Sequence, residues 1–311
     1  ARPRAMGDCV RLQLDDAQLR EYRETGVVVV RQALPERAGL VAALGRATAE
    51  APVARSPFKT QVPGSARELF DSAHHVVAFT DKPGRDRGRG KGTAPRPPPP
   101  VQTLGHGLHE SVEAVRAVTM HPQVALLAQT LGLGPRTAIV QGKVMFKPAH
   151  HGFRVPPHTD EQYIFLRERK GLCEGGQEEE YEEGFALWWA LDDCTEENGC
   201  LKAVRGSHIR GRVTPLPRFE ADHAQACTRF VPVVDDSSMT ALQEDALEWE
   251  ALEMNAGDVA VLHPRVLHAS GPNRTAKNRT ALTAHYVSAA ENEDWSRWPE
   301  SNWLRPPFQL L

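Results

Sequence analysis

From residue 137 onward the chain is a succession of short strand-like runs: TAIVQGKVMFK, HTDEQYIFL, FALWWALDD, CLKAVRG, TRFVPVV, DVAVLHPRVLH and RTALTAHYV. Gly, Pro and acidic turns split them, and β-branched and aromatic residues fill them. Many short strands at this spacing predict a mainly β fold, a sandwich or jelly-roll barrel, because such strands bury their edges by packing or curling on one another.

The first third of the chain has a different texture. Leu14, Leu19 and Tyr22 share a helical face, Gly26 stops that helix, and Val27 to Val30 follow as a strand. A second helix is expected from about Pro35 to Glu50, with Leu40, Val41, Leu44 and Ala47 recurring at helical spacing. TLGHGLHESVEAVRAV and HPQVALLAQTLGLG read as further helical pieces, the second ending on Gly132 and Gly134. Residues 83–100, PGRDRGRGKGTAPRPPPP, cannot bury a core. They are expected to be a flexible Arg/Gly/Pro-rich insertion, and they also offer a surface for a protein partner. The acidic stretch 173–184 is expected to be a solvated loop over one mouth of the barrel. No internal repeat is visible, and residues 1–311 are expected to form one domain with these two insertions.

Charge excludes some function classes. The net charge of -3 gives no electrostatic case for nucleic acid or an anionic membrane surface. No run approaches the apolar length of a membrane span, and ARPRAMGDCV has no apolar core of a secretory signal. The five cysteines (Cys9, Cys173, Cys194, Cys200 and Cys227) form no CxxC pair, and their odd number argues for reduced thiols. A cytoplasmic protein is expected; the C-terminal QLL is not a peroxisomal signal.

The chemistry is carried by few residues. In VPPHTDEQY, His158 and Asp160 are two apart, and on a strand such residues point to one face. Far downstream, His268 and then Arg279 follow on strand-like segments. Two histidines and one carboxylate on one face of an octahedron leave three positions open, the arrangement of non-haem Fe(II) oxygenases. Such open positions suit a bidentate 2-oxo acid and dioxygen, and the guanidinium of Arg279 suits the remaining carboxylate of 2-oxoglutarate.

The motifs around these residues identify a family. LGHGLH (104–109), VQGKVMFKP (140–148), PPHTD (156–160), ALWWALDDCTEENGCL (186–201), RGSH (205–208) and LHASGPNRTAKNRTA (267–281) resemble the phytanoyl-CoA dioxygenase family. The likeness is greatest to its phytanoyl-CoA dioxygenase domain-containing branch. The resemblance implies a double-stranded β-helix (jelly-roll, cupin-like) barrel with flanking N-terminal helices. It also implies an Fe(II)- and 2-oxoglutarate-dependent dioxygenase that hydroxylates a small organic or acyl-type substrate and releases succinate and CO2. Fe(2+) would bind His158, Asp160 and His268, and 2-oxoglutarate would meet Arg279, Ser270 and Trp188. Ascorbate is a further cofactor candidate. Retention of Asp160 favours hydroxylation, because halogenating relatives of this chemistry lack that carboxylate. Two positions depart from the pattern: Thr103 stands where relatives often carry Lys, and Lys143 where a Met often lines the cofactor pocket. Lys143 is a candidate to replace the missing charge.

The remaining histidines are weaker candidates. His106 and His109 lie three apart on an expected helix and are substrate-side candidates, as is His208 in RGSH, whose simpler role is to anchor a turn. His263 is five residues before His268, the wrong spacing for one strand face, and is expected to be structural. His150 and His151 could edge the pocket mouth. Asn198-Gly199 is the preferred pair of a hairpin turn, and Cys200 is expected to be a small core residue. A rival reading keeps the oxygenase fold but assigns the chain a structural or scaffold role in a larger assembly.

Overall fold

The structure is a computed structural model that describes residues 10–55, 73–80, 100–133, 136–150, 154–162, 170–172, 178–180, 184–209, 218–222, 227–231, 247–289 and 307–311. Most of the 83–100 insertion and of the 173–184 stretch, together with Cys9, Cys173 and His151, lies outside the described residues.

The helices are α1 (Asp16–Thr25), α2 (Ala38–Glu50), α3 (Leu108–Ser111), α4 (Glu113–Thr119) and α5 (Pro122–Thr130). The strands are β1 (Val27–Val30), β2 (Val53–Arg55), β3 (Val76–Thr80), β4 (Val101–His106), β5 (Thr137–Lys147), β6 (Val155–His158), β7 (Lys170–Leu172), β8 (Glu178–Glu180), β9 (Gly184–Ala190), β10 (Leu201–Ala203), β11 (Arg218–Asp222), β12 (Cys227–Val231), β13 (Glu250–Leu252), β14 (Val259–Leu262), β15 (His268–Ser270), β16 (Arg279–Ser288) and β17 (Gln309–Leu310).

A major sheet runs β1-β14-β9-β16-β5-β4-β3-β2, with β17 added beside β5, and a minor sheet runs β13-β10-β15-β6. Alternation along the strands sorts the side chains. Val28, Leu187, Trp189, Val261, Leu282 and Tyr286 of the major sheet pack against Tyr22, Leu40, Leu44 and the α3–α5 region. Trp188, Ala190, Ala260, Leu262 and Ala281, on the other face, pack against Leu201, Ala203 and Leu252 of the minor sheet. The result is the mainly antiparallel jelly roll expected from the run of short strands, with helices covering its outer face.

The expected helix, Gly stop and strand at the N-terminal end are present. Asp15 and Gln18 form a reciprocal capping box, and Gly26 ends α1 in the left-handed region at φ 78°. A Cβ at Gly26 would stand 2.6 Å from His208 Nδ1, so no other residue fits there without displacing that ring. Three expectations change. Val41 is 45% exposed and does not belong to the buried stripe of α2, whose core residues are Leu40 and Leu44. The LGHGLH segment is not helical at its start: Val101 to His106 form β4, which pairs with both β3 and β5, and only Leu108 begins a helix. Partners on both sides satisfy the β4 backbone, which outweighs local preference. Asn198-Gly199 does not close a two-residue hairpin. Cys200 N–H donates to the Thr195 carbonyl across a longer turn that carries the chain from β9 in the major sheet to β10 in the minor one.

Cys194 and Cys200 are buried and free, and burial pushes their thiols up to about 12 and about 11. These are inert thiols of the core, as expected of Cys200. Among the described residues no helix is long and apolar enough to cross a membrane.

Candidate metal centre

Two strands of the minor sheet bring the histidines together. His158 ends β6, His268 begins β15, and the two are direct cross-strand partners. On the neighbouring strand, Leu201 and Ala203 face the core, and they pair with Ser270 and His268, so both of those point between the sheets. Asp160 arrives by a different route from the one its spacing suggested. The strand stops at His158, and Asp160 opens a single 3₁₀ turn, Asp160–Gln162, held by Glu161 N–H donating to the Pro264 carbonyl. The turn, not strand alternation, points the carboxylate at the imidazoles.

The ligand atoms of His158, Asp160 and His268 lie within 4.8 Å of one another, and this is the group among the described residues that could hold a metal ion. The fit is testable from the hydrogen bonds. His158 Nδ1 is 2.9 Å from the Pro156 carbonyl, and His268 Nδ1 is 3.0 Å from the Val266 carbonyl. A carbonyl only accepts, so each Nδ1 carries the proton and each Nε2 presents a lone pair. Those Nε2 atoms stand 4.0 and 3.6 Å from Asp160 Oδ1, beyond hydrogen-bond length. Lone pairs and a carboxylate facing one another across that gap suit a cation between them, and a carbonyl on the far nitrogen is how metal-binding histidines are usually held. Burial, and then the neighbouring His268, depress His158 to about 3, which keeps it neutral and able to ligate. Burial alone would raise the Asp160 carboxyl, but His268 and His285 hold it far below the ordinary range.

The inward face of the major sheet supplies a second centre of charge. Arg279, 1% exposed, begins β16 opposite Lys147 of β5. Its guanidinium lies 5.2 Å from the Trp188 ring, and Nη2 donates to the Gly199 carbonyl at 2.8 Å. Nε is buried with no hydrogen-bond partner among the described residues. Lys147 donates to the Gly271 carbonyl, and burial with the adjacent Arg279 lowers it to about 6. A buried guanidinium beside an amine that a bound anion would recharge is a site for an anion. The loop before β16 is fixed by Asn273, whose amide donates to the Lys147 and Lys277 carbonyls.

Lys143 sits two rows away on the same face, beyond the Ala281–Met145 pair, opposite Thr283, which in turn opposes Trp188. Gln141, Lys143 and Met145 are half-buried although β5 has strands on both sides, so this inward face is open to solvent. Lys143 feels the charge of Asp160, which places it toward the histidines. Thr103 is buried on β4 opposite Met145. His106 contacts Gln141 Nε2 through Nδ1 at 2.8 Å and lies on the same inward wall. Burial, then Lys143 and His285, holds it well below its ordinary value. His109 sits elsewhere, buried against Gly142 and beside Glu110. His208 contacts the Arg23 carbonyl through Nε2 and packs 4.9 Å from His263, tying α1 to the barrel. His263 accepts from Arg265 N–H in the turn after β14. His150 is exposed at the end of the segment after β5.

One residue of this wall escaped the sequence reading. His285 Nε2 stands 3.5 Å from Asp160 Oδ1. The signal was available: His285 lies on the same strand as Arg279 at an even spacing, hence on the same inward face.

Residues 22–281 match the model of the phytanoyl-CoA dioxygenase (PhyH) family. The chain belongs to this family. The mouse (Mus musculus) phytanoyl-CoA dioxygenase domain-containing protein 1 is 27% identical to this PhyH-family chain over 220 residues, 67% of this chain and 70% of the mouse protein. Among solved structures, the non-heme 2-oxoglutarate-dependent carbocyclase SnoK from nogalamycin biosynthesis has a TM-score of 0.58 at 18% identity, covering 99% of this chain and 98% of SnoK. The epimerase SnoN, solved with Fe3+, 2-oxoglutarate and nogalamycin RO, has a TM-score of 0.55 at 19% identity over 95% of this chain and 97% of its own. This PhyH-family chain shares its jelly roll with SnoK and SnoN, and it has a His-Asp-His set that could hold a metal.

Proposed function

We propose that this protein is an Fe(II)- and 2-oxoglutarate-dependent dioxygenase that hydroxylates a small organic or acyl-type substrate. The convergence of His158 Nε2, His268 Nε2 and Asp160 Oδ1 carries the reading. The iron and its co-substrate would supply oxidative decarboxylation of 2-oxoglutarate to succinate and CO2, coupled to oxygenation of a C–H bond.

The chain's own residues bind and orient. His158, Asp160 and His268 would hold the ion, leaving positions for small molecules. Arg279, stacked near Trp188, would clamp the distal carboxylate of 2-oxoglutarate, with Ser270 on the same inward face as His268. Lys143 would add positive charge in place of a lysine at Thr103. His106 stands on the open wall where a substrate would approach. Trp188 and the apolar residues between the sheets would exclude water from the co-substrate.

Anaerobic titration with Fe(II) and 2-oxoglutarate, followed by admission of air, tests the reading. A visible metal-to-ligand band at stoichiometric metal and subsequent succinate release are expected. Absence of the band at stoichiometric metal overturns the assignment.

A further inference from the structure

We propose that His285 is a positioning residue of the metal centre, whose Nε2–H holds the Asp160 carboxylate so that Oδ1 faces the gap between His158 and His268. The inference deepens the metal-binding reading above and rests on it. Asp160 sits on a one-turn 3₁₀ segment after β6 and has no strand partner to fix its rotamer. His285 reaches it from the opposite sheet, with Nε2 at 3.5 Å from Oδ1, an ion-pair contact somewhat longer than an ordinary hydrogen bond. A carboxylate oxygen has two acceptor positions, so one can face an ion while the other takes the imidazole N–H.

Two further observations favour a dedicated role. The β5–β16 register slips between His285 and Tyr286, where the partner steps from Gln141 to Ile139 and leaves Val140 as the extra residue. The extra residue is on β5, while β16 keeps an unbroken register with β9, so His285 stays on the inward face by alternation, and bulges of this kind cluster beside active sites. His285 is also 7% exposed, and its Nδ1 is buried without a hydrogen-bond partner among the described residues. A polar ring with one unsatisfied nitrogen is costly in that place, and the Nε2 contact is what a phenylalanine could not supply. His285 is not a fourth ligand, because the mutually close group holds His158, Asp160 and His268 alone.

The test is calorimetric titration of metal-stripped protein with Co(II), which reads affinity without turnover. His285→Phe keeps the ring and its burial but lacks the donor; His285→Gln keeps a donor. A loss of about 10–100-fold in Co(II) affinity is expected for the Phe variant, the range typical of outer-sphere partners. Affinity within about 3-fold of wild type is expected for the Gln variant, since the donor is retained. The Co(II) d–d spectrum should shift with the Phe variant and return with Gln, which a general loosening of the fold would not produce. Wild-type affinity in His285→Phe overturns the positioning role while leaving the metal site intact. Failure of the wild type to bind Co(II) overturns both. If the Phe variant does not fold, an unchanged affinity and spectrum in His285→Leu overturns the role on the same terms.

Discussion

His158 and His268 are cross-strand partners whose ring centroids lie 4.1 Å apart, with both Nε2 atoms turned to Asp160 Oδ1. Each ring is oriented by a backbone carbonyl two residues earlier in its own chain segment, Pro156 for one and Val266 for the other. The two imidazoles are therefore built into the pairing of β6 with β15. Loss of any ligand should be severe. His158→Ala, His268→Ala and Asp160→Asn are each expected to weaken Co(II) or Mn(II) binding by at least about 100-fold, the upper end of what outer-sphere losses alone produce. Calorimetry on the metal-free protein reads this directly.

Arg279 offers a planar fork at a buried position against Trp188. Lysine at that place would keep a charge but lose the bidentate geometry and the stacking. Arg279→Lys is expected to raise the Kd for 2-oxoglutarate by about 100-fold, the effect of truncating one partner of a buried charge pair, with Co(II) affinity nearly unchanged. Equilibrium binding of 2-oxoglutarate to the Co(II) form separates the two. A Kd equal to that of the wild type would remove Arg279 from the site.

Lys143 makes a different prediction, because its charge lies toward Asp160 and away from the Arg279–Lys147 pair. If it supplies the charge that Thr103 lacks, Lys143→Met should weaken 2-oxoglutarate by about 10-fold, the value of one charged hydrogen bond. An unchanged affinity means that Lys143 serves the substrate side, and the role given to it above is then lost.

The parts of the site that were legible in the sequence are those fixed by identity and by regular alternation. His158, Asp160, His268 and Arg279 stand out because few residue types ligate metal or clamp carboxylates, and the strand runs placed most of them on inward faces. Geometry outside regular strands was not legible. Asp160 reaches the histidines through a 3₁₀ turn, and nothing in HTD distinguishes that turn from a continuing strand. His106 was misplaced on a helix because LGHGLHES carries its helical end and its strand end without punctuation, and only pairing to β3 and β5 decides it. β3 itself, VVAFT, has the composition of a strand and could have been found. His285 was findable by counting from Arg279, but the bulge in β5 opposite it was not, since register is a property of two strands.

Gly199 joins the turn to the carboxylate clamp. It has φ 78°, a Cβ built on it would lie 2.4 Å from the Gly271 carbonyl oxygen, and its own carbonyl accepts from Arg279. Gly199→Ala must therefore either strain the turn or push the 271–278 loop away from Lys147. A loss of about 1–3 kcal/mol in stability is expected from the backbone conformation alone, together with a weaker 2-oxoglutarate affinity. Chemical denaturation and co-substrate titration of the same variant check the two effects. Wild-type values in both would show that the turn yields without cost.

Acid should destabilise the protein through a residue outside the metal centre. Burial lowers His109 to about 4 from its ordinary 6.5, opposed by Glu110 and helped by Arg116 and His75. The folded-state value is depressed for a base, so between those two values the unfolded chain binds a proton that the folded one refuses. Stability is then lost as pH falls through that window and does not fall further, from this group, below about 4. The contribution should reach about 2 kcal/mol by pH 5. His109→Gln cannot take up the proton, so its unfolding free energy should decline less than that of the wild type between pH 7 and pH 5, by about that amount. Urea denaturation of the metal-free proteins at the two pH values measures the difference, and parallel declines in the two proteins would mean that His109 is not the group responsible.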